Sequence, residues 1–177
     1  MTPSLLRRVH EQLSATGIAH ALIGAAALAI HGVSRSTFDQ DLLATDPRTL
    51  TPAAWSALTD ETHVDIRRGD EDDPLAGVVR VTSPGERDVD VVVGRHRWQR
   101  TIIEGATTLD TPAGSIPVAS PEGLVLLKLY AGGPQDLWDI EQLRATLGPP
   151  LDLAVNRHVD SLPGQAREMW ARLTSPS

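Results

Sequence analysis

Cysteine is absent from the 177 residues, which excludes disulfides, zinc–thiolate centres and a cysteine nucleophile, and fits a reducing compartment. Long hydrophobic runs are missing too. The longest, Ala21 to Ile30, is alanine-rich and well short of the ~20 apolar residues that span a bilayer. Met1 to Gln12 places Arg7, Arg8, His10 and Glu11 in an amphipathic pattern and lacks the apolar core of a signal peptide. A cytoplasmic protein without membrane contact is the expectation. Positive charge is also in deficit: 16 Lys and Arg face 23 Asp and Glu, for a formal net charge of -7. No global basic field exists to hold a polynucleotide by counterion release. A nucleic-acid partner would need a local patch, for which Arg67 with Arg68, and Arg95 with Arg97 and Arg100, are the candidates. No P-loop, Ser-His-Asp triad or zinc signature occurs.

What is present is ordinary globular material, with 41% hydrophobic and 22% charged residues, in a chain long enough for one well-cored domain with a small helical extension. Ser4 caps a predicted helix to Ala15, with Leu5, Leu6, Val9 and Leu13 at helical spacing and Gly17 as its stop. Ile18 to Ile23 is a short buried strand by its apolar run, and Gly24 opens a second helix, Ala25 to His31, closed by Gly32. Phe38 to Ala44 alternates with a period of two. A helix over Pro52 to Thr59, with Thr51 as cap, then strands at His63 to Arg67, Val78 to Thr82 and Asp88 to Val93 follow, with Asp70 to Pro74 as a loop. His96 to Glu104 is helical by pattern, and Thr107 to Ala119 holds a hairpin. Ser120 and Pro121 start a helix to Ala131; Gly132, Gly133 and Pro134 interrupt; Gln135 to Leu147 and two weaker helices to Leu173 complete the chain. The expected organisation is an α/β core over residues 1–119 and a helical part, residues 120–177, packed on it.

The chemistry concentrates at Asp39 and Asp41. Residues i and i+2 of a strand project to one side, with Cα atoms about 6.5 to 7 Å apart, so both carboxylates can address one point. Two like charges there call for a cation. Mg²⁺, or Mn²⁺ in its place, suits them, because it accepts one or two carboxylates plus the oxygens of substrate phosphates. Leu22-Ile23-Gly24-Ala25 is a strand, a glycine and a helix start, which turns backbone N–H groups toward an anion. Arg35, Ser36 and Thr37 add a guanidinium and two hydroxyls directly before the acidic strand.

Gly24, His31-Gly32, Arg35, Thr37 and Asp39-x-Asp41 together resemble the nucleotidyltransferase-like superfamily of polymerase-β type, and within it the AbiEii-like toxin branch. Pro121-Glu122-Gly123-Leu124, Lys128, Gln135-Asp136-Leu137 and Asp139-Ile140 resemble that branch's downstream lysine and Asp-x-x-Asp helix motifs. The resemblance covers roughly Ile18 to Leu147 and implies an α/β (α+β) fold, a mixed central sheet flanked by helices with a helical C-terminal part. It implies Asp39 and Asp41 as metal ligands and Asp90, with Asp88 its rival, as a third carboxylate that assists metal binding or activates the attacking hydroxyl. It further implies Gly24, Ala25, Arg35, Ser36, Thr37, Lys128 and Asp139 at the nucleotide, and Asp136 beside Lys128 in the catalytic set. The implied activity is Mg²⁺-dependent transfer of NMP from an NTP to a hydroxyl of tRNA or protein, by a toxin with a cognate antitoxin. Two alternatives stay open: an inactive antitoxin-like binding module, and a nucleotidyltransferase of small molecules such as antibiotics. Ala25 stands where the superfamily often has serine or glycine, and Gln40 replaces an apolar residue between the acids, which directs a polar group toward the core.

Overall fold

The computed structural model describes residues 3–34, 36, 39–59 and 61–176. A seven-stranded mixed sheet forms its centre, built from β1 (His20–Ile23), β2 (Gln40–Ala44), β3 (His63–Arg68), β4 (Leu75–Thr82), β5 (Val89–Gly94), β6 (Thr107–Thr111) and β7 (Gly114–Val118). The strand order is β3-β4-β5-β2-β1-β7-β6, with β2–β5 and β1–β7 parallel and the other pairs antiparallel. The helices are α1 (Leu5–Ala15), α2 (Gly24–Ile30), α3 (Arg97–Glu104), α4 (Pro121–Ala131), α5 (Pro134–Leu147), α6 (Pro149–Asn156) and α7 (Gly164–Thr174).

Alternation in the strands decides which face is core. Leu22, Leu42, Val91 and Val79 lie in register across β1, β2, β5 and β4 and are all fully buried. Helix α1 packs on this face, where Leu5, Leu6, Val9 and Leu13 supply its apolar stripe. Ser4 caps it by accepting from the Arg7 N–H, and the Leu5 N–H donates to Glu86 at 2.6 Å. A histidine pair fastens α1 to β1. The His20 Nδ1 lies 2.8 Å from the Ile18 carbonyl and must carry the proton, so its Nε2 accepts from the His10 Nδ1 at 2.7 Å. Burial pushes both imidazoles below their ordinary value.

The expected helix over Pro52 to Thr59 is not formed. Two single 3₁₀ turns, Pro47–Leu50 and Pro52–Trp55, take its place. Asp46 caps the first by accepting from the Arg48 N–H at 2.9 Å. Thr51, preceding a proline, is forced to extended backbone (φ -115°, ψ 141°), which prevents the turns from merging into one helix. The Thr51 hydroxyl caps nothing and donates back to the Arg48 carbonyl at 2.7 Å. Gln40 stands on the same face of β2 as buried Leu42. It is half-buried and lines a groove whose floor includes the core residues Leu5, Leu6 and Leu22 and whose rim carries Ser4, Glu86 and Arg87.

The C-terminal helices form a layer in which α4 touches α2, α5, α6 and α7. Ser120 caps α4 by accepting from the Gly123 N–H at 3.2 Å, with Pro121 in the first turn. His31 uses its Nε2 to donate to the Ala119 carbonyl at 2.9 Å and so ties the end of α2 to the strand β7 exit.

Candidate active site

The strand register assembles a polar row on the face opposite α1. Ile23 of β1 pairs with Asp41 of β2, Asp41 with Asp90 of β5, and Asp90 with Arg80 of β4. Paired residues on adjacent strands share a face, so Asp41, Asp90 and Arg80 stand side by side, with Asp39 two residues before Asp41. The choice between Asp90 and Asp88 follows from this register. Asp90 is inside the row, whereas Asp88 precedes β5 and its carbonyl accepts from the Gln40 N–H at 3.0 Å.

Gly24 determines where Asp41 can sit. Its φ of +64° is the left-handed region that favours glycine. A Cβ built on it would lie 2.2 Å from Asp41 Oδ2, so the carboxylate occupies the space that any side chain at position 24 would fill. The glycine read as a phosphate contact thus has a structural reason of its own. Ala25, beside it, buries its methyl group in the core, which leaves only its backbone for a ligand. Ser36 is exposed, whereas Arg35 and Thr37 lie outside the described residues.

Arg80 is the residue that sequence reading missed. Its Nε donates to Asp90 Oδ1 at 2.8 Å and its Nη2 to Asp90 Oδ2 at 2.6 Å, a two-pronged pair, while the same Nη2 reaches Asp39 Oδ2 at 3.4 Å. The hydrogen-bonded Asp90 carboxylate, with Asp39 and Asp88 adding smaller contributions, raises the arginine pKa further above its already high value. The available signal was a charged residue centred in Val78-Val79-Arg80-Val81, but its target emerges only from the register with β5.

The acids differ in access to water. The Asp90 side chain is 15% exposed and that of Asp39 42%, with Arg80 at 44%. A cavity of about 390 Å³ opens beside them, lined by Arg67, Val78, Arg80, Asp90 and the loop residues Asp73 and Pro74. Asp65, cross-strand from Arg80, ion-pairs with Arg67 at 2.8 Å on the outer edge of the sheet.

Asp39, Asp41 and Asp90 are the residues that could hold a metal. Their hard carboxylate oxygens, supplied from one face as an incomplete cage, are the donor type that Mg²⁺ takes, and Gly24 leaves room for Asp41 among them. Among the described residues, no group of three or more acidic or histidine side chains is gathered tightly enough to enclose a cation; the Arg80 guanidinium stands between Asp39 and Asp90.

Lys128, Asp136 and Asp139 gather on the α4–α5 hairpin. Lys128 Nζ is 2.9 Å from Asp136 and 2.8 Å from Asp139, whose side chain is fully buried. Asp136 Oδ2 also accepts from the Gly133 N–H at 3.1 Å, the helix-start contact of an acid in the first turn of α5. Gln135 donates to Asp139 at 3.2 Å.

No family model and no curated protein matches the sequence. Solved structures do match in three dimensions. The antibiotic-resistance factor ANT(2'')-Ia superposes with a TM-score of 0.54 at 12% identity, over 96% of this chain and 92% of that one. ANT(2'')-Ia in complex with adenylyl-2''-tobramycin gives 0.54 at 12% identity over 97% of each chain. An antigenic nucleotidyltransferase-like protein from Paracoccidioides brasiliensis gives 0.51 at 17% identity, over 94% of this chain and 95% of that one. The fold is nucleotidyltransferase-like. Within that nucleotidyltransferase-like fold, the row sits where β2 and β5, parallel neighbours, meet the β1–α2 turn at Gly24.

Proposed function

We propose that the chain is a Mg²⁺-dependent nucleotidyltransferase that moves NMP from an NTP to a hydroxyl group. One observation carries the reading: Asp39, Asp41 and Asp90 share one face of the sheet beside a glycine whose missing side chain makes room for Asp41. Asp39 and Asp41, assisted by Asp90, would hold the metal with the NTP phosphates, and the metal, when bound, would neutralise the charge that develops on the leaving group. The acceptor oxygen forms a bond to the α-phosphorus, the α–β bridging P–O bond breaks, and pyrophosphate leaves with the electron pair. The Asp90 carboxylate takes the acceptor's proton and passes it to water, the general-base role open to a carboxylate within hydrogen-bond reach.

The acceptor in this proposal is a small hydroxylated molecule bound in the cavity next to Asp90, whose volume of about 390 Å³ falls in the range of small-ligand sites. The net charge of -7 disfavours tRNA, and the structural similarity to ANT(2'')-Ia, a protein captured with adenylyl-2''-tobramycin, supports a small acceptor. The toxin reading keeps support from the Lys128 and Asp136-x-x-Asp139 motifs, with tRNA or a protein as acceptor and an antitoxin as partner.

The experiment is label transfer. Each α-labelled NTP is incubated with protein, Mg²⁺ or Mn²⁺, and in parallel with hydroxylated antibiotics, total tRNA and cell lysate, for wild type and Asp41→Asn. Label on a small molecule that vanishes in the variant supports the proposal. Label on tRNA or a protein transfers support to the toxin reading, and no label anywhere, with no NTP binding in the presence of metal, supports an inactive binding module.

A further inference from the structure

We propose that Arg80 is an exchangeable counter-ion: it holds Asp39 and Asp90 while the divalent metal is away, yields them to the metal, and then turns to a phosphate oxygen of the nucleotide. This rests on the metal-ligand reading of the carboxylates given above and adds to it a residue and a change of partner.

The geometry supplies the first half. One guanidinium, with a two-pronged grip on Asp90 at 2.6 and 2.8 Å and a longer contact to Asp39 at 3.4 Å, occupies the ground between two carboxylates that a metal would have to draw together. A divalent ion among those acids attracts them with twice the charge of an arginine and repels the arginine itself. Metal and guanidinium therefore compete for the same oxygens.

Burial supplies the second half. The Arg80 side chain is 44% exposed and lines the cavity at the open side of the row, so it has room to leave without becoming a desolvated, unpaired charge. It also remains charged throughout, since arginine does not deprotonate in proteins. Its planar fork matches phosphate oxygens as well as carboxylates. A freed Arg80 beside a triphosphate thus has a partner of the same shape as the one it gave up.

The test measures binding, not turnover. Mn²⁺ is titrated into wild type, Arg80→Gln and Arg80→Lys without nucleotide, following the paramagnetic resonance of free Mn²⁺, and a non-hydrolysable NTP analogue is then titrated at saturating Mn²⁺. Thermal unfolding of each variant establishes that it is folded, and the lysine variant, which keeps the charge but not the fork, serves if the glutamine variant is not. Arg80→Gln should bind Mn²⁺ several-fold more tightly than wild type, with Arg80→Lys in between. The same variant should bind the analogue at least roughly tenfold more weakly, the loss expected for one charge-assisted hydrogen bond. Equal or weaker Mn²⁺ binding in Arg80→Gln, with wild type binding normally, overturns the counter-ion role and leaves the carboxylate metal site standing. Unchanged analogue affinity overturns the turn toward phosphate. If wild type and variants all fail to bind Mn²⁺ with or without the analogue, the metal-ligand reading itself falls, and this proposal with it.

Discussion

Among the described residues, acidic side chains meet a cation both on the sheet and on the α4–α5 hairpin, and the two places differ in what water can reach. On the sheet, Asp39 and Asp90 meet Arg80 at a half-exposed face beside a cavity. On the α4–α5 hairpin, Asp136 and Asp139 meet Lys128, whose side chain is only 13% exposed, and Asp139 is exposed not at all. An exposed pair contributes little to stability and can exchange partners. A buried pair is different, because removing one member strands the other charge in a medium that solvates it poorly. The same residue types therefore suit ligand exchange in one place and fixed packing in the other.

The largest expected effect breaks the buried cluster. Lys128→Met removes the ammonium that lies 2.8 Å from the buried Asp139 carboxylate and should cost about 3–5 kcal/mol; at roughly 2–4 °C per kcal/mol for a chain of this size, the midpoint falls by something on the order of 10 °C in a thermal melt. Adding Asp139→Asn to the same chain should recover part of that loss. Asp39→Asn, at the exposed cluster, should stay within about 0.5 kcal/mol of wild type in the same melt. Equal losses from the two single substitutions would erase the contrast. If Lys128 also served the triphosphate, Lys128→Met below its melting range would show an NTP affinity reduced more than its stability accounts for.

The next effect sharpens the sheet side. Gly24→Ala places a side chain in the left-handed region and against Asp41 Oδ2, for a cost of about 1–3 kcal/mol from the backbone alone. Urea unfolding should show that loss, and label transfer should fall further than stability does, because Asp41 must move. A Gly24→Ala protein with full transfer activity would separate the glycine from the site.

The smallest effect lies away from both clusters, at the His10–His20 pair. The folded state holds both imidazoles below 6.5, so they bind a proton less readily than in the unfolded chain. The sign follows: the stabilisation is complete above the unfolded value of 6.5 and is lost as pH falls below it toward the folded values. Melting temperature should drop on acidification through that window, and His10→Gln should flatten the slope. A melting temperature that rises on acidification would mean that the pair is charged in the folded protein.

Much of the candidate site's arrangement is local in the chain. Asp39 stands just before β2 and Asp41 within it, and Gly24 follows directly on β1, so neighbours in sequence are neighbours in space. Helix starts at Ser4 and Ser120 were equally legible, since caps act within one turn. Arg80 was not, because its alignment with Asp90 depends on the β4–β5 register, which the order of residues alone does not specify. The failure at Pro52 to Thr59 is local but competitive: Pro47 and Pro52 each start a turn, and the extended residue required before the second keeps the first from propagating. For Lys128, Asp136 and Asp139 the family resemblance implied the grouping but not its burial, and burial decides whether such a group holds the fold or serves a ligand.

The most direct measurement of the central claim is the position of the metal. Crystals grown with Mn²⁺ and a non-hydrolysable NTP analogue, with data collected at the manganese absorption edge, should give an anomalous peak bonded to Asp41 and Asp39, with the analogue's phosphates on its open side. A peak elsewhere, or bound analogue with no manganese at these two carboxylates, would contradict the account.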